Sequence, residues 1–333
     1  MTQIDKMNRR SVLAMGAGAA LVAGLPMAAS AKTTLRYGHN NEPASVAGWF
    51  AEALAEASGG DMDVQVFPAS QLGKLQELAE AVSLGTIAFS HNTAGGIGSL
   101  YEPFGALDTP YLYRDVDHLM KVTDVNSPVM QMLNEGLIAA AGVRVIYSHY
   151  FGKRNLTCNK AIRTPADLAG VKIRAVPFPM YTTAVEGMGA VAVPVDWSEV
   201  PTALATGVVQ GQENPVNVVL NVKLYEVQKN LMLTGHMTNA EMVVMNEGVW
   251  QGLSAEQQAA VQTAAEATRI KATKAILDNE EAETQALRDL GMTVIGAEEG
   301  LDIDAFRASV SALVNDRFGE RYGEIYDMIG KIA

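Results

Sequence analysis

The sequence predicts an α/β protein in which a mainly parallel sheet is shared between two lobes joined by a hinge. Three observations carry that expectation. From residue 34 onward, short apolar strands alternate with helical stretches, the rhythm of βα units. A second unit repeats the rhythm from about Arg154. The strand-like run 240–246 then returns the chain to the first unit, and repeated crossing between lobes is how a hinged clamp is built.

Each element has its own signal. Thr34-Leu35-Arg36-Tyr37-Gly38-His39 reads as the first strand, followed by a helix through 49–54 that stops at Ser58-Gly59-Gly60. Val64-Gln65-Val66-Phe67 alternates with the period of a half-buried strand until Pro68 ends it. Residues 75–84 have helical spacing ended by Gly85, and Ile87-Ala88-Phe89 forms the next strand. In the second unit Val171, Ile173 and Ala175 share one face of the strand 171–176. Arg174 therefore projects from the other face, near the carboxyl end, where open α/β sheets place ligands. Trp197-Ser198-Glu199-Val200 opens a helix that stops at Gly207. Leu253-Ser254-Ala255-Glu256 reads as a capped helix start, and helical composition persists to Leu290, ended by Gly291.

Bulk properties narrow the function. The chain has 333 residues, 48% apolar and 19% charged, ample for a large buried core and too apolar for disorder. Its leader has a basic n-region, an apolar run from Val12 to Ala31 and Ala29-Ser30-Ala31 before Lys32, the layout of a cleaved export signal over residues 1–31. Asn8-Arg9-Arg10-Ser11-Val12-Leu13 suits twin-arginine export, with ordinary Sec export the alternative. Formal charge is −12, and removing 1–31 with Lys6, Arg9, Arg10 and Asp5 leaves −14. Such a chain repels nucleic acid and anionic membranes, and no stable membrane insertion is expected after signal cleavage. Any anionic ligand must then be drawn by local arginines. Cys158 is the sole cysteine, so no internal disulfide can form, and it reads as a buried, inert thiol. No catalytic triad, phosphate loop, paired-cysteine metal site or HExxH helix can be quoted, so no catalytic residue, metal or cofactor is expected.

Several motifs occur in a fixed order: Pro68-Ala69-Ser70-Gln71-Leu72-Gly73, Leu107-Asp108-Thr109-Pro110-Tyr111-Leu112-Tyr113, Gly170-Val171-Lys172-Ile173-Arg174, Trp197-Ser198-Glu199-Val200, Gly211-Gln212-Glu213-Asn214-Pro215 and Leu224-Tyr225-Glu226-Val227-Gln228-Lys229. Together they resemble the extracytoplasmic solute receptors of TRAP transporters, the DctP family, over nearly all of the chain after residue 32. The resemblance implies a two-lobe periplasmic solute-binding-protein fold with a hinge and a long lobe-spanning helix. It implies lobe I at 32–153 plus 240–279 and lobe II at 154–239 plus 280–333. It also implies a periplasmic receptor, not an enzyme, that closes on a small organic acid and hands it to the small and large subunits of a membrane permease. The alternatives are the binding component of another transporter or sensor, or a periplasmic lyase or isomerase of organic acids.

Eight residues are expected at the ligand. A guanidinium offers a carboxylate two parallel hydrogen bonds, and the resemblance assigns that grip to Arg174; the structural alternative is a surface ion pair. It also suggests a second ligand-contacting arginine at Arg154, against a salt bridge across the hinge. Asn214 presents both a donor and an acceptor, and otherwise would serve a turn. Trp197 is expected to wall the pocket or fill the core. Asn40, His39, His91 and Asn92 are placed at carboxyl ends of first-lobe strands, facing the cleft or satisfying loops. Glu213 reads as structural, and Lys74 as solvent-facing.

Overall fold

The computed structural model describes residues 32–41 and 45–333; the export leader read at 1–31 lies outside them. The strands are β1 (Thr33–Gly38), β2 (Met62–Phe67), β3 (Phe89–Asn92), β4 (Val143–Cys158), β5 (Lys172–Ala175), β6 (Val191–Pro194), β7 (Gly211–Asn214), β8 (Asn230–Asn246) and β9 (Thr293–Ile295). They form one sheet in the order β2-β1-β3-β8-β4-β7-β5-β6, with β9 added beside β8. Helices α1 (Val46–Ala57), α2 (Leu75–Ser83) and α3 (Ala94–Ile97) follow the first three strands. Next come α4 (Val116–Val122) and α5 (Pro128–Ala141), then α6 (Pro179–Gly187), α7 (Val200–Ala205) and α8 (Val216–Asn221). The chain closes with α9 (Glu247–Gly252), α10 (Ala255–Asp289) and α11 (Ile303–Gly330).

The sheet is mixed, which corrects the mainly parallel expectation. Its flanks are parallel, β2-β1-β3 on one side and β7-β5-β6 on the other. Its centre, β3-β8-β4-β7, is antiparallel. The cause is the length of two strands. β4 has 16 residues and β8 has 17, and they run against each other from Val143 beside Asn246 to Cys158 beside Asn230. One half of this ribbon carries the first flank and the other half the second. The β4–β8 register shifts between Val145 and Tyr147, Tyr150 and Gly152, and Arg154 and Leu156. Such bulges bend a strand and sharpen its twist. Gly152 sits at one of them with φ of 128°, and a Cβ there would lie 2.5 Å from Pro215, so only glycine fits.

Helix α10 joins the halves along its length. Ser254 and Gln257 form a capping box at its start, and Ala260, Ala264, Thr268 and Ala272 repeat every four residues as one buried stripe. These small side chains let the helix lie close to α1 and β4, within the core containing Phe50, Phe89 and Tyr147. Leu287, near the far end, packs instead with Leu204, Val219 and Val294 of the second half.

Candidate functional site

Where the two halves face each other, a cleft is lined by Asn40, Arg154, Arg174, Trp197 and Asn214, with Phe151 and Glu241 among its other walls. It continues past Trp197, Phe151 and Glu241 into a cavity of about 250 Å³ bounded by Trp49, His149 and α10. The two compartments share those walls. Together they suit a small ligand enclosed on several sides.

Arg174 reaches the cleft from β5, and its side chain is only 2% exposed. Its Nε donates to the carbonyl of Val195 at 2.8 Å, and the guanidinium lies 5.8 Å from the centre of the Trp197 ring. Among the described residues, no carboxylate lies within ion-pair distance of it. Burial, opposed by Glu213 and reinforced by the charge of Arg154, lowers its pKa to about 10, so it stays charged at neutral pH. A buried cation without a counter-ion is costly, and an anion at this spot would relieve the cost.

Arg154 is equally buried but fully engaged. Two of its nitrogens grip the Glu213 carboxylate, Nη2 also donates to the Glu213 carbonyl at 2.7 Å, and Nη1 donates to Asn239 at 3.2 Å. His236 Nε2 lies 3.1 Å from the same carboxylate. Burial alone would raise the pKa of Glu213, but Arg154 and His236 outweigh it and hold the group at about 2. Asn239 passes the network on to Asp108 at 2.9 Å. Asn214, on β7, points its amide at Gln212 Oε1 from 2.6 Å, and the rest of the side chain lines the cleft. Trp197 begins a short 3-10 turn ahead of α7, half-buried between the two compartments.

The four first-half residues divide. Asn40 lines the cleft and accepts from His91 at 2.6 Å. His91 and Asn92 lie within β3, not after it, because that strand starts two residues later than its apolar run suggested. His91 stands behind the wall, with Nδ1 3.2 Å from Glu241. Asn92, expected at the cleft, instead donates to the Leu75 carbonyl at 2.7 Å and accepts from Thr93 N–H at 3.0 Å, fixing the start of α2. His39, also expected there, is fully buried and accepts the Asn41 N–H at 3.2 Å, which shapes the loop after β1.

Sequence reading missed Glu241, His149 and the role of Lys74. Glu241 is a lone acid in the otherwise apolar run 240–245, a detectable anomaly. Lys74 is not simply solvated. Its Nζ lies 2.6 Å from Asp196 and 3.1 Å from Glu199, bridging from the N-terminus of α2 to the opposite side of the cleft.

Residues 40–320 match the model of the bacterial extracellular solute-binding protein family 7, DctP. The chain belongs to this family. It is a TRAP transporter extracytoplasmic solute-binding protein with the two-lobe fold, and members of the DctP family bind substrates and are not enzymes. It is 34% identical over 307 residues to a solute-binding protein of Verminephrobacter eiseniae, covering 89% of this chain and 88% of the other. It is 33% identical to the 2,3-diketo-L-gulonate-binding periplasmic protein YiaO of Escherichia coli, covering 86% and 88%. A TRAP periplasmic solute-binding protein of Roseobacter denitrificans with bound L-galactonate superposes with a TM-score of 0.83 at 28% identity, covering 90% of this chain and 99% of that one. Among the described residues of this DctP-family receptor, no helix is long and apolar enough to cross a membrane.

Proposed function

We propose that the protein is a periplasmic receptor that captures a small organic-acid anion between two closing lobes and delivers it to the small and large membrane subunits of a TRAP permease. The lobes would comprise 32–153 plus 240–279, and 154–239 plus 280–333, with residues 1–31 removed on export. One observation carries the reading: the guanidinium of Arg174 is buried at the cleft and has no acid partner among the described residues. A carboxylate is the counter-ion that it lacks among the described residues. Asn214 and Asn40 stand beside that position to complete the head-group contacts, and the Trp197 ring covers it. Related receptors are named for binding such acids, L-galactonate and 2,3-diketo-L-gulonate among them.

Closure matters energetically. Micromolar binding requires roughly 8 kcal/mol, whereas one charge-assisted hydrogen bond contributes about 1.5–3. Arg174 alone falls short, so groups from both lobes must converge and exclude water. A thermal-shift screen against organic acids tests the proposal, since a ligand at 100 times its Kd stabilises by about 2.7 kcal/mol. The expected result is a shift with one or more carboxylates that vanishes in Arg174→Ala. A shift that survives the substitution rejects Arg174 as the anchor.

A further inference from the structure

Beyond the head-group contact, the cleft widens into the cavity of about 250 Å³ past Trp197, and its walls have a distinctive chemistry. Glu241 and Glu283 are there with the amides of Asn41, Asn217 and Asn279. No lysine or arginine is among its described walls. The two arginines of the adjoining compartment are otherwise committed, Arg154 to Glu213 and Arg174 to the ligand head on the reading above, and the Lys271 ammonium is packed on the Trp49 ring.

Two buried groups in this compartment have capacity to spare. Glu241 accepts from Asn41 Nδ2 at 3.3 Å and faces His91 Nδ1 at 3.2 Å, while still lining both compartments. His149 is 1% exposed, and among the described residues both of its ring nitrogens lack a hydrogen-bond partner; Nε2 lies 3.5 Å from Glu241 without an aligned bond. A buried polar group without a partner is expensive, and buried imidazole nitrogens are normally satisfied. A hydroxyl serves both groups at once, because it donates its one proton to the carboxylate while a lone pair accepts from an imidazole N–H. A second carboxylate does not. It would sit against Glu241 with no guanidinium or ammonium among the described walls to neutralise it.

We propose that Glu241 and His149 read hydroxyl groups on the ligand's carbon chain, so that the receptor selects a polyhydroxy monocarboxylate over a dicarboxylate. This rests on the reading of Arg174 as the carboxylate anchor, and the test separates the two. The full chain is titrated by calorimetry with three acid series of four to six carbons: aldonates such as erythronate and galactonate, the dicarboxylates succinate to adipate, and the unsubstituted monocarboxylates butyrate to hexanoate. At least one aldonate is expected to bind more than about a hundredfold tighter than the dicarboxylate of equal length. Glu241→Gln and His149→Phe are each expected to weaken that aldonate by about tenfold or more. Both should weaken the unsubstituted acid less than they weaken that aldonate. A dicarboxylate that equals or exceeds every aldonate overturns the proposal, and needs no variant to do so. Correctly folded variants that both keep wild-type aldonate affinity overturn it as well. In either of those cases, loss of all acid binding in Arg174→Ala leaves the head-group reading standing. If the wild type binds none of the three series, both readings fall.

Discussion

Two buried arginines stand a short way apart, and their surroundings give them opposite duties. Arg154 is held in a bidentate pair with Glu213. Arg174 makes one hydrogen bond to a backbone carbonyl and offers the rest of its fork to the cleft. Truncating Arg174 should therefore cost binding more than stability: Arg174→Ala is expected to lower ligand affinity by about a hundredfold or more, with an unchanged far-ultraviolet circular dichroism spectrum. Glu213→Ala should do the reverse. It strands a buried guanidinium, and unfolding in urea should register a loss of about 3–5 kcal/mol. The sequence made Arg174 legible because strand alternation fixes its direction. It also marked Glu213 as structural. It did not make His39 or Asn92 legible, because their partners are backbone groups that depend on how the loop and the helix start fold, Asn41 N–H for His39 and the Leu75 carbonyl for Asn92. Glu241 lies inside the run 240–246, which read as a strand, and only its charge against apolar neighbours hinted otherwise, while the stretch around His149 had no reading of its own.

At the scale of elements, most boundaries followed from local signals. Pro68 ends β2, Gly85 follows α2, and Ser254 opens α10. The failures share one cause. β4 and β8 each exceed the length of an ordinary strand, so the run 240–246 read as a short strand by itself, and the antiparallel centre of the sheet went unseen. The Lys74 bridge is likewise invisible to sequence, since Asp196 and Glu199 lie more than a hundred residues away. Because this bridge spans the cleft, Lys74→Ala should favour the open arrangement. Small-angle scattering of the ligand-free variant is expected to give a larger radius of gyration than wild type. Ligand affinity should fall by less than about tenfold, in keeping with a solvent-exposed pair. An unchanged radius would remove the bridge from any part in closure.

For the whole molecule, acid stability depends on buried groups that pull in opposite directions. Burial lowers His39 and His149 to about 4, so their contribution is lost as pH falls from about 6.5 towards 4. Burial raises Asp108 to about 6 and Glu283 to about 7, so the folded state gains from their protonation over much the same range. These contributions largely oppose each other. Glu213 and Glu241 are both held at about 2, where burial is outweighed by Arg154 and His236 for the first, and by His91, His149 and Asn41 for the second. Their folded pKa values are depressed, so the stability they supply is complete above about pH 4.5 and drains away as pH falls towards 2. Thermal melting should thus vary little between pH 7 and 5 and drop steeply below about 4.5. In Glu213→Gln that steep portion should become shallower.

The ribbon of β4 and β8 has one more implication. A clamp whose jaws were joined by slack linkers could swing wide and lose its alignment. Here the jaws share the β4–β8 ladder, interrupted at its register shifts, so on the hinged reading proposed above opening flexes the bulges near Gly152, with the neighbouring Phe151 and Arg154 among the cleft walls. The spring and the palm of the hand are the same few residues. Whatever settles on those side chains presses directly on the part that bends.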